Sequence, residues 1–142
     1  NIYFQRAWAT VSSKNQNISS HDHPQSHISF AYYLKKSKLD GGITFIDKHK
    51  HNEFIKNSFG SRTLIEQKVI EKSTFLNSNS VNFSPEQDDI VIFPSKTLHA
   101  TQINNTENTR ISISADITVI SKNTAKIEQL ITPIDKWKKF AD

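Results

Sequence analysis

Apolar positions recur mainly at every second residue, in short stretches divided by polar runs. That spacing puts alternate side chains on one face of an extended chain, so it predicts strands rather than helices. Strands are expected over residues 2–11 (IYFQRAWATV), 28–34 (ISFAYYL), 43–47 (ITFID), 80–83 (SVNF), 89–93 (DIVIF, stopped by Pro94) and 110–120 (RISISADITVI). The stretch 63–75 (TLIEQKVIEKSTF) fits a helix or two short strands, and its β-branched residues favour strand. With only three Gly and four Pro, Asn and Ser make most of the turns. Residues 12–20 and 48–61 are polar and loop-like, and Asp40-Gly41-Gly42 marks a turn. Near the end, Thr132 as N-cap and Pro133 at the first helical position predict a short helix. Its Ile134, Trp137 and Phe140 would close over the sheet. Seven to nine short strands and one helix make an all-β antiparallel sandwich or barrel.

The length of 142 residues suits one domain spanning 1–142. Hydrophobic residues make up 35%, including nine Phe, which places the chain above disordered composition. The chain holds no Met, so Asn1 is expected not to be the natural start and the ordered part to belong to a longer chain. No stretch approaches the roughly 18 apolar residues of a membrane span, and none resembles a signal peptide, which makes the cytoplasm the default expectation. Cysteine is absent, so disulfides and thiolate ligands are excluded and any metal must rest on His, Asp, Glu, Asn or backbone. The net charge of +4 is spread over scattered lysines without a basic-aromatic signature. It therefore suits a small anionic ligand better than nucleic acid.

The stretch SHDHPQSHISFAYYL (20–34) holds three of the six histidines. On an extended chain His21 and His23 point to one side and Asp22 to the other. Two imidazoles rarely hold a metal, and His99, just past Pro94, is the best third ligand. His27 follows Pro24 and is expected to stand behind the metal ligands or on the substrate side, and His49/His51 to be a solvated pair in a lysine-rich loop. Arg110 comes eleven residues after His99 and shares a strand face with Ser112 and Ser114. Tyr33 shares its face with the small Ser29 and Ala31, which leaves room for a ligand.

The ordered blocks HDHPQSHISFAYYL, GGITFID, DDIVIFPSKTLH and TRISIS, with Trp8 ahead of them, resemble the Fe(II)/2-oxoglutarate-dependent oxygenases. The resemblance is to a small bacterial and phage branch related to prolyl hydroxylases, and it covers residues 8 to about 117. It implies a double-stranded β-helix of the jelly-roll, cupin-like kind. It also implies a hydroxylase-type dioxygenase that uses Fe(II), 2-oxoglutarate and O2 on a small-molecule or peptidyl substrate. His21, His23 and His99 would ligate the metal. Arg110 would grip the far carboxylate of 2-oxoglutarate, with Ser112 and Tyr33 adding hydroxyls. A planar, permanently charged guanidinium suits that task. The loop 48–62, with Phe54 and Phe59, would be a lid. His23 stands where most of the superfamily has a carboxylate, so the ligand set is neutral and leaves the metal its full charge, which leaves Zn or Ni as alternatives to iron.

Two other readings use the same residues. A cupin-type metal barrel, enzymatic or ligand-binding, would use His27 as a further ligand and Pro94 five residues before His99, with no task for Arg110. A non-catalytic β-sandwich would leave the histidines incidental.

Overall fold

The computed structural model describes residues 1–47, 53–59, 61–122 and 131–139. Seven strands are found among them: β1 (Ile2–Ser12), β2 (Ile28–Lys35), β3 (Ile43–Ile46), β4 (Ser80–Phe83), β5 (Ile90–Pro94), β6 (His99–Thr101) and β7 (Arg110–Val119). They form a four-stranded sheet in the order β1-β7-β2-β5 and a three-stranded sheet in the order β4-β3-β6. All pairings are antiparallel. The fold is a double-stranded β-helix, and the space between its sheets is lined from both.

The register of the larger sheet sorts its residues into cross-strand rows. Arg6, Asp116, Ser29 and Phe93 lie side by side, as do Trp8, Ser114, Ala31 and Val91. Thr10, Ser112 and Tyr33 form the next row, and Ser12 pairs with Arg110. These rows face the interior. The intervening rows carry Ala9, Ile113, Tyr32 and Ile90, then Ala7, Ala115, Phe30 and Ile92. The second face is therefore almost wholly apolar, and Ile90, Ile92 and Val11 on it are exposed. Between the sheets, the Phe45 and Phe93 rings meet edge-on at 5.2 Å.

Two expected elements differ. Residues 63–75 do not form strands: Arg62–Glu66 make a short helix, α1, whose Leu64 N–H is capped by the Ser61 side chain. Lys68 then turns the chain at positive φ. The β-branched residues there find no partner strand, and without cross-strand packing their extended preference has nothing to act on. At the other end, the expected helix is a single 3-10 turn, Ile134–Lys136, with no side-chain cap. Ile134 and Trp137 stay exposed, so no buried face offsets the nucleation cost of a short helix; Phe140 lies outside the described residues.

Candidate metal centre

β6 begins at His99, and the His21 and His99 backbones exchange two hydrogen bonds of 2.9 Å. Directly opposed residues of an antiparallel pair send their side chains to the same face. This one bridge extends the smaller sheet just far enough to set two imidazoles together. The His23 N–H donates to Ser95 O, which holds the third. The ring centroids lie 4.3 Å (His21–His99) and 5.2 Å (both other pairs) apart.

All three rings are held through Nδ1. His21 Nδ1 donates to Ser19 O at 2.8 Å and His99 Nδ1 to Thr97 O at 2.9 Å. A carbonyl can only accept, so the proton sits on Nδ1 and leaves Nε2 a lone pair. His23 Nδ1 donates to the carboxylate of Asp116 at 2.6 Å. His23 Nε2 is buried with no hydrogen-bond partner, alone in this among the described side chains. One ring nitrogen from each of the three lies within 4.8 Å of the others. A buried, orphaned lone pair facing two more is costly unless something electrophilic meets it. The donor set, three neutral nitrogens with fixed tautomers, fits a divalent transition metal. Burial, with His21 and His23 close by, holds His99 below the ordinary imidazole value, which favours the neutral, ligating form.

The cavity beside this cluster is also lined by Tyr33, Arg110 and Ser112. The six residues expected to hold the metal and 2-oxoglutarate thus line one cavity. The Arg110 guanidinium is buried, with Nη1 donating to Asp40 O at 2.8 Å and Gln102 O at 3.2 Å, and Nη2 reaching Ser12 Oγ at 3.4 Å. Among the described residues no carboxylate forms an ion pair with it. The Asp40 carboxylate is turned away, onto Ser37 and Thr106. Burial pushes the Tyr33 phenol up to about 12, against the opposing pull of Arg110, so at neutral pH it is a hydroxyl donor.

Other expectations fall elsewhere. His27 Nδ1 accepts the Val119 N–H at 3.0 Å, and His27 does not line the cavity. It is not in the cluster of His21, His23 and His99, so it is not the further ligand that a cupin site would need. Asp22 is exposed, as its parity required. Neither Phe54, fully exposed, nor Phe59 lines the cavity. His49 and His51 lie outside the described residues.

The residue that sequence reasoning missed is Asp116. Its carboxylate accepts from His23 Nδ1, Ser29 Oγ at 2.6 Å and Arg6 Nε at 2.5 Å. Burial alone would raise it, but these bonds together hold it below the usual carboxylate range. Its parity with Arg110, Ser112 and Ser114 was a usable signal.

Residues 6–116 match a family model described as "Putative 2OG-Fe(II) oxygenase". The chain belongs to that family. Fe(II) and 2-oxoglutarate are the cofactors that go with it. No curated protein matches this oxygenase-family chain. Among solved structures it is similar to an oxidoreductase of the 2OG-Fe(II) oxygenase family from Burkholderia pseudomallei, at 12% identity and TM-score 0.57, over 82% of this chain and 44% of that one. It is also similar to HygX from Streptomyces hygroscopicus with nickel and 2-oxoglutarate bound, at 11% identity and TM-score 0.54, over 86% and 60%. A third is SnoN, a non-haem α-ketoglutarate-dependent epimerase from nogalamycin biosynthesis, at 14% identity and TM-score 0.53, over 82% and 47%. At these identities the likeness shows the fold. The chain spans less than two thirds of each of these structures. No helix among the described residues is long and apolar enough to cross a membrane.

Proposed function

We propose that this chain is a 2-oxoglutarate-dependent dioxygenase of the hydroxylase type, with its metal held by Nε2 of His21, His23 and His99. The observation that carries this is one cavity bearing both a buried, unpartnered His23 Nε2 and a buried guanidinium with no counter-ion among the described residues. Bound iron would supply the redox chemistry that couples oxidative decarboxylation of 2-oxoglutarate to oxidation of a small-molecule or peptidyl substrate.

The protein's part is placement. Asp40 O, Gln102 O and Ser12 Oγ fix the Arg110 guanidinium, and its remaining donors are free for the far carboxylate of 2-oxoglutarate. Tyr33, a neighbour of Ser112 in the same cross-strand row, offers a phenolic donor, and Ser112 a second hydroxyl. Trp8, Ile43 and Phe93 wall the cavity and limit water around the charged groups.

Anaerobic titration with Fe(II) and then 2-oxoglutarate tests the proposal. A weak visible charge-transfer band and later succinate formation on admitting oxygen are expected. Native protein with neither would refute it, and so would His99→Ala with undiminished metal binding.

A further inference from the structure

Three imidazoles carry no charge, so the ligand set offsets none of a bound cation's +2. Two of the rings rest on neutral carbonyls, Ser19 O and Thr97 O. Only His23 rests on a carboxylate, that of Asp116, which is 1% exposed. A buried carboxylate is expensive to keep ionised, and Asp116 is kept so by Ser29, Arg6 and His23 itself. Ser29 in turn is bonded to the buried Ser95 hydroxyl at 2.8 Å. Among the described residues the one counter-cation is Arg6, which is over half exposed, so solvent and salt weaken its share of the charge without removing it. What remains inside is an anion one hydrogen bond from a ligating ring.

We propose that Asp116 supplies, through the His23 imidazole, the negative charge that this three-histidine ligand set lacks. This rests on the metal-centre reading above and assigns it a positioning and charge-supplying residue outside the ligand set. A ring that donates Nδ1–H to a carboxylate is a more basic and more electron-rich ligand than one donating to a carbonyl. The effect grows with the charge on the metal. Asp116 should therefore favour Fe(III) over Fe(II) as well as tightening both.

Asp116→Asn keeps an acceptor for His23 Nδ1–H and removes the charge. Fe(II) affinity, measured anaerobically against a chromophoric chelator, should fall about 10–100-fold. The Fe(III)/Fe(II) potential should rise, by about 59 mV for each tenfold change in the ratio of the two affinities. Arg6→Gln takes away the opposing cation and should move the potential the other way. Asp116→Asn that binds Fe(II) within threefold of the unaltered chain overturns the proposal. So does weaker binding at an unchanged potential, which would make Asp116 only a mechanical support. If Asp116→Asn does not fold, Arg6→Gln decides: a lowered potential supports the proposal and an unchanged or raised one overturns it. An unaltered chain that takes up no Fe(II), or a His99→Ala variant that binds as well, marks a failure of the metal-centre reading itself, and this proposal falls with it.

Discussion

At the scale of single residues, the decisive feature is unsatisfied bonding capacity. A guanidinium has five N–H donors, and burying it without a counter-ion is costly. Arg110 spends its donors on two carbonyls and one distant hydroxyl, which leaves part of the fork free toward the cavity. Lys in its place would keep the charge but lose the planar fork. Arg110→Lys should thus weaken 2-oxoglutarate binding about tenfold or more while Fe(II) affinity stays within about twofold, read from the charge-transfer band as 2-oxoglutarate is added. Tyr33→Phe should weaken 2-oxoglutarate by about 1 kcal/mol, the worth of one hydrogen bond, in the same titration.

At the scale of elements, the turn before β3 seats Arg110. Gly41 has φ +78, and a Cβ there would lie 2.7 Å from Ile103 O and 3.1 Å from Arg110 Nη1. The conformation and the crowding both require glycine. Gly41→Ala should destabilise the fold by about 1–3 kcal/mol, seen as a lower urea midpoint. It should also cost 2-oxoglutarate affinity through the displaced guanidinium, while Fe(II) binding persists. The strands themselves were legible because their alternation is strong: β1, β2, β3, β4, β5 and β7 all fall within a residue of the expected bounds. β6 was not, because three residues carry too little pattern; it exists through its pairing with β3 and the bridge to His21. Residues 63–75 depart from the expected strands for the converse reason, since strand-forming residues without a neighbouring strand do not stay extended.

At the scale of the molecule, the ends of the described β-structure close on each other: Ile2 of β1 faces Val119 of β7. Two buried carboxylates brace this closed form. Asp116 joins β1, β2 and β7, and Asp40 joins the turn before β3 to Thr106 ahead of β7. Burial alone would raise Asp40, but its bonds from Ser37 and Thr106 outweigh that and leave it below its ordinary value. A carboxyl depressed in the folded state adds stability above its unfolded value, near 4, and loses it as pH falls through the lower folded value. The urea midpoint of the metal-free chain should therefore decline gently below about pH 6.5, where the unfolded chain protonates His99 more readily than the fold does, and drop steeply below about pH 4. Asp40→Asn should flatten that drop; an unchanged slope would mean that Asp40 does not brace the fold.

The sequence alone determined which residues the proposed site draws on: the His-x-His pair, His99, Arg110 with its serines, and Tyr33. It also determined their faces, because strand parity is a local property of the chain. It could not determine that His27 is spent on the Val119 amide, or that Asp116 stands behind His23, 93 residues away. Those facts depend on register, on which residue lies opposite which across the sheet. Register is set by how distant strands pair and pack, and only the tertiary structure decides it.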